Sequence, residues 1–580
     1  MTTVRYLALA GTREALRQRL SALVPRPEAP RRLNRIFDGG ELVVFASPET
    51  PHLLLHEEKG VLIGRLFRGA ERCSPVDRLG LSESRHAAWS RGSSLLESTW
   101  GGFVALLSDG GSVSALRDPS GAVPAYVADR DGLQLFSSDL ELIEEIFPGA
   151  LTLDEEFLRQ WLTFPFLRTA RTAAADVTEL LPGTWRSCGP TEPASGTAWT
   201  PWTSAAPERS ITSFDEAARR LRAVTLATVP VQLTGIDNQV LELSGGLDSS
   251  IVAACLAASG AEFRAATFAT NLPDGDERGY ARDVAEALGI ELAELREDDL
   301  PLDLTPPRRS LRPPLSPVLQ PLRRALARHA QASGAGDFVT GAGGDNIFCY
   351  LTTAAPVLDA AADLGLRRAL ETLQDVAALG ECTIWRAARF ALRKRRRRSR
   401  RPLWQPDTRF LAPAAITHRR DPHPWLERPA RAAAGKIEHV ESLVRVQHFL
   451  EPRYPSGEQI HHPLLNQPLM ELCLAIPSWM WIQGGCNRAV ARAAFADLLP
   501  PSIIGRRTKG RLESMCVRAY AAERARLAEI LLDGELAQRG LLDRPQLEAY
   551  LRAGAQPPDE AYYRLFDFVS LALWLESWRA

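Results

Sequence analysis

Two short stretches carry residue types that act on phosphate when held together. The first is Leu243-Ser244-Gly245-Gly246-Leu247-Asp248-Ser249-Ser250. The glycines allow a sharp turn and bring bare backbone close to a ligand. The apolar, Ala-rich run from Ile251 to Ala258 then reads as a buried helix. Such a turn offers backbone N–H groups and the positive end of a helix dipole, which together bind phosphate. A carboxylate there, Asp248, would be repelled by phosphate, so a bridging cation such as Mg²⁺ is its natural partner. The second stretch is Thr340-Gly341-Ala342-Gly343-Gly344-Asp345, a strand end running into a glycine turn with an acid at its exit. Paired with Asp248, Asp345 completes a Mg²⁺ site across a triphosphate. A helix N-cap role for Asp345 is compatible with that. No Gly-x-x-x-x-Gly-Lys-Ser/Thr loop occurs, so this is not the Walker arrangement.

The elements that must position these loops follow from pattern. With 580 residues the chain holds two or more domains. The net charge of −1 gives no hint of nucleic acid or membrane as a partner. Eight cysteines are scattered without a C-x-x-C pair, which argues against a zinc site or a disulfide framework and for reduced, cytoplasmic thiols. The first residues do not read as a signal peptide, and no apolar run is long enough to span a bilayer. Leu42 to Ala46, Leu53 to His56, Val61 to Leu66, Trp100 to Leu107 and Val113 to Leu116 alternate with Gly/Asp turns, the pattern of antiparallel hairpins. Gly189 to Ser210 lacks periodicity and reads as a linker. Beyond it, a helix from Ser213 to Leu226, a strand from Asn238 to Leu243, a strand from Phe263 to Ala269, a helix ending at Gly289 and a strand from Ile290 to Leu295 alternate. That alternation predicts a doubly wound parallel sheet with ligands beyond the carboxyl ends of its strands. Arg393 to Arg401 is basic at every position except Ser399. Such a run is a solvated loop, or it touches an acidic peptide or, less in keeping with the charge balance, nucleic acid.

The loop Ser244 to Ser250 resembles the pyrophosphate loop of N-type ATP pyrophosphatases, which split ATP between the α- and β-phosphates to make an acyl-adenylate. Arg117-Asp118-Pro119-Ser120-Gly121, Phe136-Ser137-Ser138 and Leu181-Pro182-Gly183 resemble the glutaminase domain of glutamine-dependent asparagine synthetases. His462-Pro463-Leu464-Leu465-Asn466 and Arg507-Thr508-Lys509 resemble elements of their synthetase domain. The resemblance implies an α+β N-terminal domain, a glutaminase-like antiparallel β sandwich with helices, over 1–190. It implies a linker over 191–210 and an α/β ATP-pyrophosphatase domain with a helical C-terminal part over 211–580. It adds Phe268 and Gly341 to the residues Leu243–Ser250 that hold ATP, and places Asp248, Arg507 and Lys509 in catalysis, with Lys509 reaching the leaving pyrophosphate. Two features depart from asparagine synthetases. Thr2 stands where a cysteine nucleophile is needed, so the first domain reads as degenerate and glutamine as no source of ammonia. Ala342 stands where a Glu handles the incoming amine. The wording Thr340 to Cys349, with Asn487-Arg488-Ala489 and Arg507 to Gly510, is most similar to lasso peptide cyclases. That implies adenylation of a side-chain carboxylate of a leader-free precursor peptide, attack by the peptide's own N-terminal amine, and macrolactam closure. A precursor peptide, a leader-recognition protein and a leader peptidase are the implied partners, and a roomy cleft between the domains is expected. Tyr350, Glu451 and Glu458 are open candidates for the base. A β-lactam-type synthetase, an ammonia-dependent asparagine synthetase and a non-catalytic peptide-binding scaffold are the alternatives.

Overall fold

The structure is a computed structural model that describes residues 4–23, 33–149, 151–189, 193–269, 276–296, 302–332, 334, 336–397, 404–450, 458–507, 510, 513–554, 557 and 559–579. Thr2, Glu451, Lys509 and 398–401 of the basic run lie outside them.

The N-terminal half is two antiparallel sheets. One runs Val177–Glu179, Tyr126–Arg130, Leu133–Ser137, Tyr6–Gly11, Leu42–Ala46, Asn34–Asp38. The other runs Ala194–Thr197, Thr184–Cys188, Val113–Arg117, Trp100–Ser108, Gly60–Arg68, His52–Leu54. Strand side chains alternate between faces, and both faces of these strands are apolar. Tyr6, Ala8 and Ala10 meet Val61, Ile63, Val104 and Leu106 between the sheets. Leu7 and Leu9 point the other way, onto the helix Leu140–Ile146. The segment read as a linker is not loose. Ala194–Thr197 extends a sheet, and Trp199 and Trp202 are buried against Trp425 and Glu471 of the C-terminal half.

The C-terminal half contains the expected parallel sheet, ordered Leu292–Arg296, Phe263–Ala269, Gln239–Glu242, Asp337–Thr340, Gln459–His461. It is doubly wound. Leu241, Ala265 and Val339 face one layer with Ile251 and Val252 of the helix Leu247–Ala258. Val240, Ala266, Phe338 and Ile460 face the other, with Leu326 and Ala330. Gly289 ends its helix in the left-handed conformation (φ 66°), as a glycine at that position permits. The fifth strand, Gln459–His461, has only three residues and carries no strand pattern of its own. The two halves share one apolar core, in which Leu62, Phe103 and Leu107 join Leu241 and Leu469. Between the halves lie a cavity of ≈ 150 Å³ beside Arg117 and His462 and a cleft of ≈ 480 Å³ along Arg312 and Pro313. All eight cysteines are free thiols. No described helix is long and apolar enough to cross a membrane.

Two histidines are locked neutral in the C-terminal core. His423 accepts from the Trp425 amide through Nδ1 and donates to Gln447, and His439 donates to the Ile347 carbonyl. Burial pulls their pKa values down to about 4 and about 3. A depressed histidine contributes stability that is present above its unfolded pKa near 6.5 and is lost as pH falls toward the folded value. Between about pH 6 and 4 the unfolded chain therefore binds up to two more protons here, and stability falls by up to about 2.7 kcal/mol per pH unit. Melting curves from pH 7 to pH 5 should show this, and His439→Gln should flatten the slope. A melting point indifferent to pH over that range would contradict the burial argument.

Candidate active site

The two glycine loops meet at the switch point of the sheet. Gln239–Glu242 and Asp337–Thr340 are adjacent parallel strands, and the chain leaves them toward opposite flanks of the sheet. In such sheets ligands sit in the crevice at the carboxyl ends of that strand pair. Ser244 to Gly246 leaves the first strand, and Gly245 takes φ 69°. A Cβ on Gly245 would lie 2.5 Å from Tyr280 Cβ and 2.6 Å from the Ala281 nitrogen, so only glycine fits. Gly246 caps the helix Leu247–Ala258, whose first N–H groups have no helical acceptor. Gly341 of the second loop lies against that first turn. A Cβ there would sit 2.5 Å from the Ser249 nitrogen and 2.8 Å from its Cα. Gly341→Ala is therefore expected to force the loops apart, costing about 1–3 kcal/mol and raising the KM for ATP. ATP titration of the variant checks this, and an unchanged KM would contradict the packing.

Within the loop the serines turn inward. Ser250 Oγ donates to the Gly246 carbonyl at 2.7 Å, and Ser249 Oγ contacts Ser244 Oγ and the Gly246 carbonyl. Leu243 and Leu247 are buried, so they offer backbone rather than side chain. Phe268 stands near the end of the neighbouring strand and packs into two apolar clusters.

Asp248 and Asp345 do come together, and a guanidinium holds them. Arg488 Nη1 donates to Asp248 Oδ1 and Oδ2 at 2.9 and 3.1 Å and to Asp345 Oδ1 at 2.6 Å. The side chain of Arg488 is only 8 % exposed. One cationic nitrogen thus sits between two carboxylates at the mouth of the Ser244–Ser250 loop. These residues fit Mg²⁺, which takes one or two carboxylates together with substrate phosphate oxygens. Asp248 and Asp345 would hold the ion, and when bound it would neutralise charge on the triphosphate. Among the described residues there is no group of three or more His, Cys, Asp or Glu placed to hold a metal without substrate.

Arg488 is not the first turn of a helix, as its place in Asn487 to Phe495 suggests. It sits in the left-handed region (φ 51°), and the helix begins only at Ala489. With that turn its side chain meets the two carboxylates. Arg492 instead binds the carbonyls of Asn487, Ile503, Ile504 and Arg506, and so fixes the basic segment. Arg506, not singled out by sequence, also reaches the loop. It donates to the Gly245 carbonyl at 3.1 Å, pairs with Glu277 at 2.6 Å and lies over the Tyr280 ring. Glu277 also accepts from the Gly510 amide at 3.0 Å, which ties down the far end of the segment containing Lys509. Arg507 is exposed. Of the candidate bases, Tyr350 lies at the site, its ring 5.2 Å from the Arg488 guanidinium. Glu458 is fully buried against Gln331, away from it. Arg506 has no local signal in the sequence, and Arg488 shows there only as part of a motif, because their partners lie 143 to 261 positions away.

A parallel sheet with two glycine loops, paired carboxylates and fixed arginines at its switch point defines a nucleotide-binding α/β domain. Residues 221–576, more than half the chain, match the family model for asparagine synthase, and the chain belongs to that family. The family makes amide bonds at the expense of ATP, typically with Mg²⁺, so the protein is an ATP-dependent ligase by family. No curated protein matched the chain. Solved structures similar to it include the allosteric regulatory enzyme of purine biosynthesis, at 10 % identity over 52 % of this chain and 82 % of that one, TM-score 0.21. Another is glutamine phosphoribosylpyrophosphate amidotransferase from B. subtilis complexed with ADP and GMP, at 11 % identity over 58 % of this chain and 74 % of that one, TM-score 0.21. Scores this low assign nothing.

Proposed function

We propose that the protein is a macrolactam-forming ligase of lasso peptide type. An Asp or Glu side chain of a leader-free precursor peptide attacks the α-phosphate of ATP and pyrophosphate leaves. The peptide's N-terminal amine then attacks the acyl-adenylate, AMP leaves, and one ring-closing amide forms. The observation that carries this reading is Ala342. It stands in the turn between Thr340 and Asp345, where its amide is bonded to Thr340 Oγ1 at 3.1 Å. It leaves that turn without a carboxylate to bind and deprotonate a free amine. An amine tethered to its own acyl group has less need of capture, because the reaction is effectively unimolecular. The nucleotide end is served by the Ser244–Ser250 loop, with Arg506 fixing its turn; Asp248 and Asp345 would hold Mg²⁺. Lys509 is proposed to meet the leaving pyrophosphate and Arg507 to assist. A precursor peptide, a leader-recognition protein and a leader peptidase are the proposed partners.

The test is mass spectrometry. The leader-free peptide of a precursor-like reading frame beside this gene is incubated with the protein, ATP and Mg²⁺, and in parallel as its N-acetylated form. Loss of one water from the free-amine peptide alone, with AMP and pyrophosphate released, is the expected result. AMP release that depends instead on aspartate and ammonia would overturn it in favour of asparagine synthesis.

A further inference from the structure

A groove of ≈ 680 Å³ lies in the C-terminal half between the helices Ile384–Arg397 and Ala434–Val446. Thr352 and Thr353, two and three residues beyond Tyr350, line it. One of its walls, the helix Ala434–Val446, is hydrogen-bonded through Ser442 to Asn346, the neighbour of Asp345. Its walls are unusual in two ways.

The first is an inverted helix. An amphipathic helix normally buries its large apolar side chains. Ile384–Arg397 instead buries small ones, Ala387 at 0 % and Ala391 at 7 % exposure, against Leu373 and Ala377. Its large apolar residues face out: Trp385 is 84 % exposed, Leu392 55 % and Phe390 43 %, and Phe390 lines the groove. Trp385 and Leu392 lie outside the groove lining, so Phe390 is the exposed large apolar side chain that this helix contributes to the groove.

The second is charge. Arg386, Arg393, Lys394 and Arg428 line the groove, and Glu438 is the acid among its lining residues. Glu438 is already paired with Lys394. Among the described residues no acid pairs with Arg386, Arg393 or Arg428. The sequence allows no local compensation, since no Asp or Glu occurs between Glu381 and Asp407. A groove that combines Phe390, Val376 and Ile437 with guanidinium groups not paired to an acid is complementary to an extended peptide carrying carboxylates and apolar side chains.

We infer that this groove binds an acidic, apolar-bearing segment of the peptide substrate and so selects which peptides the ligase accepts. The inference rests on the proposed ligase reading. It also gives a role to the start of the basic run, Arg393 and Lys394, which the nucleotide site does not use. A concave, walled groove favours a peptide over a lipid surface or a nucleic acid.

The experiment measures binding to the full-length protein by fluorescence anisotropy, without ATP. The probes are a short labelled peptide of alternating Glu and Phe and its counterpart with Lys in place of Glu. The Glu/Phe peptide is expected to bind and the Lys/Phe peptide not to. In the double variant Arg386→Glu, Arg393→Glu the Glu/Phe affinity should fall about tenfold, as expected for two partly exposed ion pairs, and the Lys/Phe peptide should now bind. The gain of binding separates a charge effect from loss of fold. Equal binding of the two peptides, or no response to the charge reversal, would overturn the inference. So would stronger displacement of the probe by phosphatidylglycerol vesicles or by single-stranded RNA than by unlabelled peptide. Binding without ring closure would refute the ligase reading and leave the groove standing. Ring closure with the same KM for acidic and neutral peptides would refute the groove alone.

Discussion

Asp248→Asn is expected to lower AMP and pyrophosphate release by roughly 10²–10³-fold, the scale of removing one preorganised electrostatic contact to a transition state, without unfolding the chain. The asparagine keeps a side-chain oxygen that accepts from Arg488 at the position now held at 2.9 Å. What it loses is the negative charge that a divalent cation needs beside the phosphates. Asp345→Asn should act in the same direction, because Arg488 joins the two carboxylates into one unit. Residues acting as a unit are not additive, so the double variant should be little worse than the single ones. Turnover assays with melting curves on the same samples decide this. An Asp248→Asn protein with near-normal AMP release would remove the metal assignment.

The second large effect is on stability. Glu179 is the only acid in a buried set of four. Arg117, Arg168 and Arg312 approach it at 2.8, 2.7 and 2.6 Å, and its side chain is 1 % exposed. Burial pushes its carboxyl up, but the guanidinium groups of Arg168, Arg312 and Arg117 overcome that and hold it well below the carboxylate range. Two of the arginines belong to the first half and Arg312 to the second, so the cluster joins the halves. Glu179→Gln leaves three buried cations without a counter-charge and is expected to cost about 3–5 kcal/mol or more, the cost of breaking a buried pair. Removing one arginine leaves the charge closer to balance, so Arg117→Ala should cost less. Differential scanning calorimetry of both variants gives the order. Equal melting points, or a less stable arginine variant, would contradict it.

This cluster also explains motifs that sequence alone presents as unrelated. Arg117 binds Glu179 and the Leu180 carbonyl, and the Gly183 amide donates to the Arg117 carbonyl at 3.0 Å. Arg117 to Gly121 and Leu181 to Gly183 therefore belong to one hydrogen-bonded turn system.

Legibility in the sequence followed the range of the forces involved. The strand Phe263–Ala269, the helix stop at Gly289 and the start of the helix near Ser213 were readable because their causes are local: apolar periodicity, a left-handed glycine, and acids in a first turn; that Ser213 is the cap and that the helix runs on to Val231 were not. The loop Ser244 to Ser250 was readable for the same reason. The strand Gln459–His461 was not, since three residues inside an existing sheet need no alternation. Arg488 was seen only as one basic residue of a motif. Its role depends on a left-handed turn and on carboxylates 240 and 143 positions away. The outward direction of Trp385 is not legible in the sequence, because a helix wheel shows two faces without saying which is buried; the packing of Ala387 and Ala391 sets it.

The central claim is that a peptide carboxylate attacks the α-phosphate of ATP in this site. The most direct measurement labels the peptide's side-chain carboxyl with oxygen-18 and follows the label through one round of ring closure. The label is expected in AMP, in step with macrolactam formed. Label in inorganic phosphate, or AMP formed without it, would contradict the claim.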